Sequence, residues 1–152
     1  MTKEVPADPF MMAGMMDCLS IAIENAVLEW GDTLEGFLDK FIRSGLEKAF
    51  SDQAPFVTTG CTGEELVVKV YERLTGQPLD IRVNPDMLQY SEYFWIGYAI
   101  ALLVAEKGFT VREMLECIPP QEWLRLYHLG REYGDELLLE KLSKYMRTSK
   151  SI

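Results

Sequence analysis

Histidine is nearly missing from this chain, with His128 the single example. Catalytic pairs and zinc sites built on several imidazoles are therefore excluded at the outset. Cysteine is sparse as well: Cys18, Cys61 and Cys117 are odd in number, far apart and without a C-x-x-C spacing. Neither a disulfide framework nor a zinc ribbon fits that arrangement. None of the phosphate-cradling, dinucleotide-binding, metalloprotease or nucleophile-elbow signatures occurs. The start, MTKEVPADPF, has no basic stretch leading into an apolar run. No secretory leader is expected, and the chain reads as cytoplasmic with reduced thiols. The longest unbroken apolar stretch, YFWIGYAIALLVA at 93–105, falls short of the roughly 20 residues that span a bilayer. A buried core helix is the expectation there, and no membrane partner.

Basic charge is also scarce. Lys and Arg number 15 against 24 acids, for a net charge of −9. Residues 1–75 hold 13 acids and 6 bases (−7), and residues 76–152 hold 11 and 9 (−2). Phosphate backbones are bound by clustered cations, so no nucleic-acid partner is expected. A basic protein is the partner this charge would steer, while acidity also keeps a chain soluble.

What is present is apolar and helical in pattern. The chain of 152 residues is 48% hydrophobic, with seven Phe, seven Tyr and three Trp. That is enough for one domain over 1–152 with a substantial core. Asp8 and Pro9 read as a cap and first helical residue, opening a helix to Gly31 with apolar positions recurring at three and four. Thr33 caps a second helix, and LEKAF at 46–50 gives further turns. SDQAPFVTTGCTG reads as a loop, and Thr62 with Glu65 as a capping box opening a helix to Gly76. Residues 77–90 read as a connector, extended near DIRV. Ser91 opens a helix apolar nearly all round, ending at Gly108. Thr110 and Glu113 form a second capping box, whose short helix stops at Ile118–Pro119–Pro120. Pro120 then begins a helix to Gly130, and YGDELLLEKLSKYMR is amphipathic, with TSKSI expected to fray.

The two halves repeat their punctuation. With a shift of 77 residues, Gly31 falls on Gly108, Thr33 on Thr110, and Ala22, Ile23 and Val27 fall on Ala99, Ile100 and Val104. With a shift of 71, GEEL at 63–66 meets GDEL at 134–137. Over residues 19–50, seven of 32 pairs are identical. Glycine stops and threonine caps in register carry mechanical meaning. The expectation is an all-α, single-domain helical bundle built from two pseudo-repeats of about four helices each, 9–76 and 91–147. Their first helices, too apolar to face water, would pack together at the centre.

Candidate chemistry is thin. His128 has Tyr127 beside it and Glu132 four residues on, but no nucleophile motif accompanies it. The acidic pairs Glu64–Glu65 and Asp135–Glu136 lie where helix starts favour acids. No catalytic residue, metal or cofactor is expected, and the chain reads as a non-enzyme. Met11, Met12, Met15 and Met16 are the first candidates for protein contact, because methionine suits adaptable docking surfaces as well as cores. Lys141, Lys144 and Arg147 form a minor basic stripe. The alternative is a small-ligand binder or enzyme with a pocket between the repeats, lined by Trp95, Tyr98, Trp123 and Tyr127 with His128 as its polar group.

The segment EYFWIGYAIALLVAEKGFTVREMLECIP at 92–119, followed by Tyr127 and His128, resembles small bacterial helical proteins of unassigned biochemistry. These carry an aromatic, Trp, any residue, Gly, aromatic signature, matched here by Phe94, Trp95, Gly97 and Tyr98, with Ala99 following. They are encoded beside ADP-ribosyltransferase-like proteins in operons that look like toxin and antitoxin modules. The first half, with IAIENAVLEWG and GEEL, is similar to a second helical family of the same neighbourhoods, and together the resemblance spans about residues 18–145. After the glycine this chain has IALLVAEKG where the family usually continues with aromatics. The resemblance implies an accessory or neutralising protein that acts on a partner encoded nearby, and it supplies no catalytic residues.

Overall fold

A computed structural model of the chain describes residues 9–54, 61–78 and 89–150. Eight helices and no strand occur among them: α1 (Pro9–Leu28), α2 (Leu34–Arg43), α3 (Leu46–Ser51), α4 (Gly63–Thr75), α5 (Glu92–Lys107), α6 (Val111–Cys117), α7 (Pro120–Gly130) and α8 (Asp135–Lys150). The expected cap at Asp8 and the extended piece at DIRV lie outside the described residues.

Local chemistry sets most boundaries. Thr33 Oγ1 accepts the Gly36 N–H at 2.9 Å, opening α2. Thr62 with Glu65 and Thr110 with Glu113 each form a reciprocal capping box, at α4 and α6. Such boxes satisfy two backbone donors that have no partner within the helix. Gly31, Gly76 and Gly108 all take φ +71°, a left-handed turn that glycine adopts without a Cβ penalty. Two boundaries differ from expectation. Helix α1 ends at Leu28, and the chain turns through four further residues before Thr33. The last helix continues through Lys150, past the point where fraying was expected.

The centre of the molecule is the contact between α1 and α5. Ile96, Gly97 and Ala99–Ala105 form an almost unbroken buried stretch on α5, matched on α1 by Met15, Leu19, Ala22, Ile23 and Ala26. The helices run antiparallel: Glu24 reaches residues just ahead of α5, while Gly97, further along α5, meets Leu19 and Ser20. A Cβ at Gly97 would lie 2.6 Å from the Leu19 carbonyl oxygen and 2.6 Å from Ser20 Cα. The two backbones thus touch where the helices cross. Close approach lets the flanking Leu and Ile side chains interdigitate, each worth about 1.5–3 kcal/mol when fully buried.

Helix α4 lies against α1 at Gly63, whose missing side chain leaves space occupied by Ile21. Helices α7 and α8 cover α5, and α2 and α3 complete the first half with Phe37, Phe41 and Phe50 in ring contact. Helix α1 over Phe10–Leu28 is apolar and long enough to cross a bilayer, with 56% of its most apolar window buried inside the fold. Asp17, Ser20, Glu24 and Asn25 interrupt it, which is why no long apolar run is visible there in the sequence.

If the backbone contact at Gly97 sets the helix spacing, Gly97→Ala lowers unfolding free energy by about 1–3 kcal/mol, the usual penalty for overpacking. Gly134→Ala, where nothing lies within 4 Å, is the control and leaves the urea midpoint nearly unchanged.

Candidate functional site

Residues Tyr90, Phe94 and Tyr98 follow one another at four-residue spacing, which puts them on one face of α5 and the turn before it. Tyr127 and Arg131, also four apart, approach the same face from α7 and its end. With Trp95 and Glu132 these residues line an open cleft of about 440 Å³. Its rings are locked edge to face: Tyr90 on Phe94 at 4.9 Å between centroids, and Trp95 on Tyr127 at 5.7 Å. Arg131 places its guanidinium carbon 5.7 Å from the Tyr127 ring centre, within cation–π range. The Tyr98 hydroxyl donates to Asp135 Oδ1 at 2.7 Å, tying α5 to the first residue of α8. Burial, with the Asp135 hydrogen bond and charge adding to it, pushes the Tyr98 phenol up to about 12.

Tyr90 is the most exposed of these rings, at 68%. Its backbone sits at φ +51°, in the left-handed region that tyrosine rarely occupies. Glu24 explains how it is kept there. This carboxylate is only 2% exposed, and it accepts the Gln89 N–H at 3.0 Å and the Ser91 N–H at 2.7 Å, one residue to either side of Tyr90. Ser91, the residue preceding α5, makes no side-chain capping bond of its own. Glu24 reaches across from α1 and clamps the turn that displays the Tyr90 ring.

Of the residues singled out from sequence, Trp95, Tyr98 and Tyr127 are brought together here. Trp123 is not: it is fully buried in the core. It lies one helical turn before Tyr127 on nearly the same side of α7, but there the core covers it completely, while Tyr127 reaches the cleft. His128 is exposed, with its ring edge-on to Tyr127 at 5.3 Å, outside the lining. The cleft also lies wholly within residues 90–132, on the α5–α7 side, and α1 contributes none of its lining. It is therefore not the crevice between the halves that the residue pattern led one to expect. The methionines divide. Met15 is fully buried and Met16 is 8% exposed, so neither offers a contact surface: Met15 shares the core-facing stripe of Leu19 and Ala22. Met11 and Met12 are partly exposed.

Tyr90 and Arg131 were not singled out in the sequence, nor was Glu24, and Glu132 was noted only beside His128. The repeated four-residue spacing of aromatics was a usable signal for Tyr90 and Phe94. For Glu24 there was none, because its partners lie 65 and 67 residues away.

A second polar cluster joins α1, α2 and α4. Asp32 accepts the Thr33 N–H at 2.8 Å, Lys40 Nζ at 2.9 Å and the hydroxyl of Tyr71. Tyr71 in turn stacks on Trp30 with centroids 4.6 Å apart. Burial raises the affinity of Asp32 for a proton, but the hydrogen bonds from Tyr71, Lys40 and Thr33 outweigh it and hold this carboxyl below its usual range. Burial, then the Asp32 hydrogen bond, pushes the Tyr71 phenol up. No open cleft is lined by this cluster among the described pockets, and its geometry is that of a clip between helices.

The chain matches no family model, no curated protein and no solved structure.

Two outcomes follow from the clamp and the clip. Glu24→Ala, which leaves two backbone donors without their charged acceptor, lowers stability by about 2–3 kcal/mol in chemical denaturation, and Glu24→Gln loses less. Because the folded pKa of Asp32 is depressed, its contribution is present above the unfolded value of about 3.9 and is lost as pH falls through the lower folded value. Melting temperature should therefore decline below about pH 4, and Asp32→Asn should show a shallower decline over that window.

Proposed function

We propose that this chain is a non-enzymatic protein-interaction module, an antitoxin-like or accessory partner that seats a basic segment of a protein encoded nearby in the α5–α7 cleft. The observation that carries this reading is the convergence of five aromatic rings on one open face, with Tyr90 clamped outward in a costly backbone conformation. Aromatic residues and arginine are enriched at interface cores and supply most hot spots. Rigid rings lose little side-chain entropy on being covered. Charge supports a basic partner: the chain carries −9 overall, Glu132 lines the cleft, and Asp135 adjoins it through Tyr98.

The same proposal reads the chain as two related modules, 9–76 and 91–147. Support comes from three features. Gly31 and Gly108 share φ +71°, followed in each case by a threonine cap. Ser20 and Gly97, related by the shift of 77 residues, are in contact with one another. Two elements related by a two-fold axis bring a position against its own counterpart only where they cross that axis. The third feature is a second cleft of about 460 Å³, whose lining includes Ala13, Asp17, Cys18, Ile21 and Cys61. Shifts of 77 and 71 turn these positions into Tyr90, Phe94, Trp95, Tyr98 and Glu132, all of which line or border the aromatic cleft. On this reading one module keeps small side chains at the site and the other has filled it with rings.

A second reading, small-ligand binding in the same cleft, is favoured by its size, which lies within the 300–1,000 Å³ typical of ligand sites. Co-expression with the products of neighbouring genes separates the two. A partner co-purifying at moderate salt is expected, and Trp95→Ala or Tyr90→Ala should weaken it by about 2 kcal/mol, roughly thirtyfold in affinity. If no neighbour comes down, or if both variants bind as the parent does, the interaction reading fails.

A further inference from the structure

Cys18 and Cys61 stand 43 residues apart in the chain, yet both line the cleft between α1 and the start of α4. Both thiols are free and nearly covered, Cys18 at 2% and Cys61 at 9% exposed, and each shifts the proton affinity of the other. Gly14 and Gly63 also line that cleft, which is open and of about 460 Å³. The third cysteine, Cys117, lies elsewhere, in α6.

The two thiols are unequal. The Cys18 thiol holds the Cys61 thiol below its ordinary range in spite of burial, and the positive charge of Lys69 adds to this. The Cys61 thiol, with burial, pushes Cys18 far up. In its thiol form Cys61 donates to the Thr62 carbonyl at 3.4 Å; ionisation gives up that weak bond. One sulfur is thus suited to attack and the other to wait as a protonated neighbour, the division of labour found in redox-sensing pairs.

We propose that Cys18 and Cys61 form a redox-active dithiol that takes a low-molecular-weight disulfide of the glutathione class as oxidant and closes to a disulfide between α1 and the residue preceding the α4 cap. In the first step the Cys61 thiolate attacks one sulfur of the small disulfide. A Cys61 mixed disulfide forms, the S–S bond of the reagent breaks, and one thiolate leaves. In the second step Cys18 loses its proton to that leaving thiolate and attacks Cys61 sulfur, releasing the second small thiol. The protein gives up two electrons and two protons, and the reagent gains both. Closure brings the two sulfurs, which line one cleft, to the disulfide length of about 2.05 Å.

The experiment treats the purified full chain with oxidised glutathione at neutral pH, followed by intact mass, thiol titration and peptide mapping. Expected are a loss of two hydrogen masses, a fall in free thiols from three to one, and a peptide linking Cys18 to Cys61, all reversed by a dithiol reductant. Cys18→Ser should stop at a stable glutathionyl adduct on Cys61, and Cys61→Ser should give neither product. Should a serine variant fail to fold, Cys117→Ser, outside the pair, still tests the closure and should cross-link fully. Retention of all three thiols under excess oxidant, or an adduct confined to Cys117, overturns the proposal.

Discussion

The backbone contact at Gly97 is the constraint on which the rest of the molecule depends. Two helices can approach to that distance only where one of them has no side chain, and here α5 meets α1 at Leu19 and Ser20. Once the axes are that close, the apolar residues on either side fill the space between them, and α5 becomes buried nearly all round. A helix of such composition is insoluble on its own. Its companions are therefore required for folding, and α1, α7 and α8 supply them.

That central pair also positions the candidate site. Glu24 rides on α1 but acts on the residues before α5, so the turn carrying Tyr90 is held by the partner helix across the seam. Buried carboxylates are costly unless their oxygens are satisfied. Here each oxygen takes one backbone N–H from the turn just ahead of α5, where the macrodipole also favours a negative charge. Stability and display are joined in one residue: the interaction that satisfies the buried carboxylate is the one that presents the most exposed ring. A related link occurs on the other side, where Ser51 accepts the Val111 N–H at 3.1 Å and itself donates to Glu47 at 2.7 Å, so that α3 caps α6.

The two clefts differ in the chemistry they offer. One, between α1 and α4, has small residues and a pair of thiols; the other, between α5 and α7, has rings and an arginine. Side-chain volume at a handful of positions decides which. Tyrosine and tryptophan there offer area for covering by another molecule, whereas the thiols of the other cleft are nearly covered.

Much of the local structure was legible from residues alone. The Thr62–Glu65 and Thr110–Glu113 boxes, the left-handed glycines at 31, 76 and 108, and the proline start of α7 all depend on interactions spanning three or four residues, so their signals sit together in the chain. The burial of α5 followed from composition. What only the tertiary structure decided was direction and partnership. Met15 and Trp123 are covered by the core while Tyr127, one turn from Trp123 on nearly the same side of α7, lines the cleft, because what packs against a helix changes along its length. Glu24 finds its donors, and Cys18 finds Cys61, across long stretches of chain. Such pairings arise from how helices cross, and no local pattern encodes them.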